Sequence, residues 1–136
     1  MNNCGITGES FGKILTSIEK NLTDFKSIIY KKNSFNKLSL SAISPLLKRE
    51  VPYHLEELKL IDIKISSDIT NELFELLRIK SSINKLALVH LNISERNFEI
   101  LVEYIEKTKT LRELDLSWCE IRSHSFSKLF TAFSNN

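Results

Sequence analysis

The sequence predicts an α/β fold class, a solenoid with parallel strands on a concave face and helices on a convex face. Two observations predict it. A pattern of five positions, almost all apolar, recurs every 28 to 30 residues, and a helical apolar stripe follows each copy at a fixed distance. A fixed period of this length is typical of stacked repeats, because one unit alone buries too little apolar surface to fold.

The strand pattern is clearest in the stretches that begin at Leu55, Ile83 and Leu111. Each carries apolar residues at its first, fourth, sixth, ninth and eleventh positions, and successive copies start 28 residues apart. A further copy starts 30 residues before Leu55, at Phe25, and has Asn33 at its ninth position. Because alternate residues of a strand point to opposite faces, these spacings predict short strands with one apolar side.

The first residues of the chain read as the tail of one more copy, which lacks its strand. Cys4 stands seven residues before Phe11, as Cys119 stands seven residues before Phe126. Gly and Pro number only 3 and 2, so we expect no flexible linker between domains. We therefore predict a single domain with an incomplete first unit, residues 1–24, and four complete units, residues 25–54, 55–82, 83–110 and 111–136.

A stripe with helical spacing follows each strand pattern. Its members stand at i, i+3 and i+7 and begin five residues after the last strand-pattern residue in every unit. Thr7, Ser66 and Ser94 stand directly after that last residue, where a hydroxyl can cap the helix. We therefore expect a helix of about three turns in each unit. The stripes are Phe11, Ile14 and Ile18; Leu40, Ile43 and Leu47; Thr70, Leu73 and Leu77; Phe98, Leu101 and Ile105; and Phe126, Leu129 and Phe133.

These copies resemble the leucine-rich repeat family, whose pattern is L-x-x-L-x-L-x-x-N/C-x-L. All four complete copies match it, and their length and helix resemble the ribonuclease-inhibitor-like subclass. The resemblance implies strands on the concave face and helices on the convex face. Asn33 and Cys119 occupy the N/C position in two copies, whereas Ile63 and Leu91 occupy it in the others. We therefore expect apolar stacking there in place of a continuous hydrogen-bonded ladder.

The composition is typical of a folded, soluble chain. Apolar residues make up 42% and charged residues 26%, and 19 Lys and Arg against 17 Asp and Glu leave a net charge of +2. The basic residues do not cluster, which argues against nucleic-acid binding. No stretch reaches the roughly 18 apolar residues of a membrane span, and no leader sequence is evident. We expect an intracellular protein without membrane insertion, in the cytoplasm or associated with the cytoskeleton or cilia.

The sequence offers no constellation for catalysis. Cys4 and Cys119 occupy equivalent positions four units apart, roughly 19 Å along the sheet, too far for a disulfide. His54, His90 and His124 fall at unrelated positions of the repeat. We therefore expect no metal site, no cofactor, no small-molecule substrate and no enzymatic activity.

The third, fifth and seventh positions of each copy form columns across the concave face, and the eighth position lies at its edge. Exposed apolar residues within a charged surface commonly mark a protein contact site. Two interpretations remain open, because Ile61, Val89 and Trp118 either contact a partner or pack against their own strand and turn. The first predicts a partner-binding surface formed by Ile29, Lys59, Ile61, Ala87, Val89, His90, Asp115, Ser117 and Trp118.

The last predicted helix carries Phe126, Phe130 and Phe133 where terminal repeats usually carry a polar cap. We expect these residues to contact further repeats of a longer array or neighbouring subunits of a larger assembly. A self-sufficient monomer is the alternative.

The sequence therefore predicts a non-catalytic protein–protein interaction scaffold. It would bind a partner protein on the concave face and act through its ends as a subunit of a complex. The family resemblance also implies an alternative, a regulator of an enzyme, such as an activator of small GTPases or a substrate receptor of a ubiquitin ligase.

Overall fold

The computed structural model describes residues 5–21, 26–47, 55–79 and 82–135. Within these residues the chain is an α/β structure with five helices and a parallel sheet of four strands, which confirms the predicted class. The helices are α1 (Gly8–Asn21), α2 (Lys37–Leu47), α3 (Ser67–Ile79), α4 (Glu95–Lys107) and α5 (Ser123–Ser134). The strands are β1 (Ser27–Lys31), β2 (Ser34–Phe35), β3 (Glu57–Ile61), β4 (Lys64–Ile65), β5 (Lys85–Val89) and β6 (Glu113–Asp115).

Equivalent apolar positions of successive copies lie side by side in the main sheet. Its strand order is β1-β3-β5-β6, and every neighbouring pair is parallel. Leu86 is the register partner of Leu58 on one side and of Leu114 on the other. The short strands β2 and β4 form a second parallel pair. The strands therefore pair at the spacing at which the sequence pattern repeats.

One face of the main sheet is buried beneath the helices. The fourth and sixth positions of the copies in β1, β3 and β5 are at most 3% exposed, and they share one core cluster with apolar helix residues. The predicted stripes of α2, α3 and α4 are likewise at most 3% exposed. Each fully buried Leu, Ile or Phe contributes about 1.5–3 kcal/mol, so this shared core is what fixes the helices on the sheet.

The stripe of α1 differs from the prediction. Leu15 is 2% exposed, whereas Ile14, the predicted member, is 39% exposed. Among the described helices, α1 packs against α2 alone, so its buried side turns toward that neighbour through Phe11 and Leu15, one turn apart. The side chain of Ile18 and the residue Phe25 lie outside the described part of the chain.

The predicted hydroxyl caps are confirmed. Side-chain oxygens of Thr7, Ser66 and Ser94 each accept a hydrogen bond from the backbone N–H three residues later, at 3.2, 3.4 and 3.3 Å. Such a cap satisfies one of the free N–H groups at a helix start. The sequence pattern thus predicts where α1, α3 and α4 begin.

Helix α2 has a cap that the pattern did not predict. The Oδ1 atom of Asn36 accepts hydrogen bonds from the backbone N–H groups of Leu38, at 3.0 Å, and Ser39, at 3.2 Å. A Cβ atom at Gly8 would lie 2.1 Å from this oxygen. Gly8 therefore lets the start of α1 approach the cap of α2 closely.

Candidate functional site

The candidate site is the open face, which is the side of the main sheet turned away from the helices. The register places the predicted columns across it. The first column is Ser27, Glu57, Lys85 and Glu113, the second is Ile29, Lys59, Ala87 and Asp115, and the third is Lys31, Ile61 and Val89. Ser117 stands two residues beyond the end of β6.

The first column is a line of paired charges. The hydroxyl of Ser27 donates a hydrogen bond to Glu57, whose Oε1 lies 2.8 Å from the Nζ of Lys59. Hydrogen bonds from Lys59 and Ser27 hold the pKa of Glu57 below its ordinary value. Lys85 lies 2.8 Å from Glu113, and this bond raises the pKa of Lys85. Both shifts favour the charged forms of Glu57 and Lys85.

A shallow depression of about 270 Å³ lies on β3, β5 and β6 and is lined by residues of the first and second columns. Ile29 is 45% exposed at one end of the column, whereas Ala87 is only 5% exposed. Ala87 thus differs from the expected exposed contact residue, because its methyl group lies between the longer side chains of Lys59 and Asp115 on the flanking strands. It forms the floor of the depression, and the charged side chains form its walls.

Asp115 and Ser117 hold each other in place beside this depression. The Oδ1 of Asp115 accepts hydrogen bonds from the hydroxyl of Ser117, at 2.5 Å, and from its backbone N–H, at 2.9 Å. These two bonds lower the pKa of Asp115. Both are predicted partner-binding residues, and together they fix a negatively charged carboxylate at the end of the last strand.

The third column and the edge carry the apolar candidates. Trp118 is 84% exposed, so it does not pack into its own turn, and that interpretation is excluded for this residue. Ile61 and Val89 are half-buried, which leaves both interpretations open for them. At the same edge, the Nδ1 of His90 lies 3.2 Å from the Oδ1 of Asp62.

The eighth position of every copy has left-handed backbone, which sequence reasoning did not predict. The φ angles of Lys32, Asp62, His90 and Trp118 lie between 51° and 60°. Such values are uncommon for residues other than glycine. The only indication in the sequence is their shared position, since all four residues directly follow the seventh position of their copies. In the first three copies this turn directly follows the strand, whereas in the last copy β6 ends three residues before Trp118.

The end of the fold at α5 exposes its aromatic side chains. Phe126, Phe130 and Phe133 are 44%, 71% and 42% exposed, whereas Leu129 is 8% exposed. Leu129 belongs to the same predicted stripe as Phe126 and Phe133, so only one member of that stripe reaches the core. Phe126 and Phe133 lie on the side of α5 that no described element covers.

The remaining nucleophilic and titratable candidates have local roles. The Sγ of Cys119 donates to the carbonyl of Leu88 at 2.8 Å, and burial raises the pKa of this thiol. The Nε2 of His124 lies 2.9 Å from Glu95. Cys4 and His54 lie outside the described residues. In the described part of the chain, no three His, Cys, Asp or Glu side chains are grouped so as to hold a metal ion.

None of the described helices has the length and apolar composition needed to cross a membrane. The chain matches no protein-family model, and a comparison with curated proteins finds no match.

Proposed function

We propose that the chain is a leucine-rich repeat solenoid of the ribonuclease-inhibitor-like subclass, with four complete units and an incomplete first unit. The strand–turn–helix order, the parallel register and the left-handed residue at one repeat position support this proposal. The N/C position supports it as well. The side-chain amide of Asn33 donates to a backbone carbonyl at 2.9 Å, and the thiol of Cys119 donates to another at 2.8 Å. In the other two copies, Ile63 and Leu91 are buried at this position.

We further propose that the protein is a non-catalytic scaffold that binds a partner protein on the open face, the concave face of the solenoid. The observation that carries this proposal is the exposure of Trp118, at 84%, on the same face as Ile29, at 45%. Tryptophan is enriched among the residues that dominate binding energy at protein interfaces. A partner that covers such an exposed tryptophan gains binding free energy, because a large apolar surface leaves water.

The surroundings of Trp118 and Ile29 favour a protein partner. Lys59, Asp115 and His90 supply a polar rim, in which Lys59 is paired with Glu57, Asp115 accepts a hydrogen bond from Ser117 and His90 lies beside Asp62. A rim of this kind selects a partner by complementary charge, while the apolar residues supply affinity. The strands behind the face are locked by a closed core, so little ordering is needed on binding.

The contact through the ends is part of the same proposal. Phe126, Phe130 and Phe133 are the large exposed apolar residues of α5. Their exposure supports a role in a larger complex, in which neighbouring subunits cover them.

Variants matched in exposure test the concave site. Trp118→Ala and Ile29→Asp change open-face residues, whereas Leu38→Asp and Ile79→Asp change helix residues that are 57% and 67% exposed. A partner is captured from the native source with the wild-type chain, identified, and its affinity is then measured for each variant by calorimetry.

We expect Trp118→Ala to weaken binding about thirtyfold, the loss typical of a hot-spot residue. Ile29→Asp should weaken binding as well, and the two helix variants should bind like the wild type. All four chains should melt at the same temperature. Equal weakening by Leu38→Asp would contradict the assignment to the open face.

A further inference from the structure

At β6, the last strand of the sheet, the core side is only partly covered. In the copies that begin at Leu55 and Ile83, the first, fourth and sixth positions are at most 2% exposed. In the last copy the same positions are partly exposed, although all three are leucine. The difference lies in the neighbour, since a following unit covers the first two copies and none among the described residues covers the last. The uncovered residues are Leu111, Leu114 and Leu116.

The backbone at this end has an N–H group that pairs with the next strand in the earlier copies. Lys32, Asp62 and His90 each donate their N–H to the carbonyl of the seventh position of the following copy, at 3.1, 2.9 and 2.9 Å. Trp118 has the same left-handed conformation, with φ of 60°. Among the described residues, no carbonyl accepts its N–H.

A matching acceptor lies at the other end of β6. In three successive copies, the carbonyl of the second position accepts two N–H groups of the following strand, at 2.8–3.1 Å. The acceptors are Lys26, Glu56 and Asn84. Arg112 holds the fourth such position, and no described N–H donates to its carbonyl. Trp118 and Arg112 thus repeat, at the open edge, the groups that bind a parallel strand elsewhere in the sheet.

The exposed aromatic side of α5 faces the same direction. His124 and Lys128 reach α4, where His124 is hydrogen-bonded to Glu95 and Lys128 forms an ion pair with Glu99. At about 100° per residue, Phe126, Phe130 and Phe133 lie on the opposite side of the helix. They therefore face away from α4, where a following helix would pack.

Charge indicates which strand fits this edge. Along the first column, Glu57, Lys85 and Glu113 alternate in sign, and Asp115 adds a second carboxylate on β6. Opposite charges on adjacent strands stabilise a sheet, and like charges destabilise it. An incoming strand with a basic third residue continues the alternation. A second copy paired through its own β6 in a symmetric dimer runs antiparallel, which places the carboxylates of Glu113 and Asp115 from both copies on neighbouring strands and leaves the parallel template unused.

We propose that this end of the sheet binds one strand–turn–helix unit of a partner polypeptide. The end consists of Leu111, Leu114 and Leu116, the three Phe residues of α5, and the carbonyl of Arg112 and the N–H of Trp118, which have no backbone partner among the described residues. The incoming strand adds in parallel to β6, with apolar first, fourth and sixth residues and a Lys or Arg at the third. Its amphipathic helix packs on α5. This inference rests on the proposed function, because it names the chemistry of the partner that covers the end.

The test uses the full chain and a synthetic peptide of residues 83–110 as the probe. This peptide has the required apolar positions, Lys85 at the third position and the sequence of α4, and it contains no tryptophan. Titration of the peptide is followed by hydrogen exchange of the Trp118 amide. We expect saturable one-to-one binding and exchange of that amide slowed about tenfold or more, because its N–H gains a carbonyl partner.

Three controls test whether the peptide binds at this end of the sheet and through the proposed contacts. The peptide with Lys85→Glu should bind about fivefold more weakly, because it places like charges side by side. Phe130→Ser in the chain should weaken binding, whereas Ile79→Ser should not; the two side chains are 71% and 67% exposed. Ile29→Asp should leave peptide binding intact, so that failure at the open face and failure at the end are told apart.

Absence of saturable binding would overturn the proposal. So would binding that Lys85→Glu and Phe130→Ser both leave unchanged. A chain that forms dimers through this end, with dissociation promoted by Phe130→Ser, would make a second copy the occupant and overturn it too.

Discussion

Truncation of Leu86 and of Leu114 to alanine compares one repeat position with and without a neighbouring unit. The two leucines are register partners in the sheet and have the same place in their copies. Leu86 is 2% exposed, because β6 and α5 follow it, whereas Leu114 is partly exposed at the end of the sheet. A stacked fold therefore predicts unequal losses of stability for chemically identical substitutions.

The size of each loss follows from burial. Leu→Ala at a closed core site costs about 2–5 kcal/mol, as the sum of lost transfer free energy and an unfilled cavity. We expect about 3 kcal/mol for Leu86→Ala. At Leu114 water already reaches the side chain, so both contributions shrink, and we expect about 1 kcal/mol. The difference of about 2 kcal/mol corresponds to a roughly thirtyfold difference in the unfolding equilibrium.

Urea unfolding followed by far-ultraviolet circular dichroism measures both losses. The slope of the free energy with urea should stay unchanged, so that the shift in midpoint reports stability alone. Leu58→Ala is the internal control, because Leu58 is 0% exposed and should match Leu86. Losses for Leu114→Ala and Leu86→Ala that agree within about 0.5 kcal/mol would refute the reasoning, since additivity errors are of that size.

Two further predictions concern close contacts and charge. Gly8→Ala should destabilise the chain by about 1–3 kcal/mol, because its Cβ would meet the capping oxygen of Asn36 at 2.1 Å. Gly12→Ala should instead stabilise the chain by up to about 1 kcal/mol, since its Cβ would lie 3.7 Å from the nearest side chain. Thermal melts measure both variants, and changes in melting temperature of the same sign would contradict this prediction. The pKa of Glu57 is lowered in the folded chain, so its contribution to stability is present at neutral pH and lost as pH falls below about 4.5. Glu57→Gln should therefore flatten the acid side of the stability curve, and an unchanged acid slope would exclude this role.

The sequence pattern predicts the sheet well, because register depends on apolar spacing alone. Leu58, Leu86 and Leu114 had to lie side by side once the period was known, since a shift of one residue would turn each of them to the open face. The pattern fails at α1, where Ile14 and Leu15 are both apolar. Which of them is buried depends on the position of the neighbouring helix, and α1 packs against α2 alone among the described helices.

The candidate site is predicted in outline. The residues of each column follow from alternation along the strands, but their exposure does not. Ala87 is buried because longer neighbours cover it, and Trp118 is exposed because its backbone turns left-handed. Among the described residues the N–H of Trp118 and the carbonyl of Arg112 have no backbone partner, and the sequence pattern carries no signal for either group.

The left-handed row at the edge of the open face has a consequence for how this protein can evolve. Four chemically unrelated side chains, those of Lys32, Asp62, His90 and Trp118, share one backbone conformation. At Lys32, Asp62 and His90 the main-chain N–H pairs with the following strand, and every residue except proline has this group, although β-branched residues are strained in this conformation. Under the proposed function, substitutions in this row would change partner recognition while the main-chain hydrogen bonds of the sheet persist.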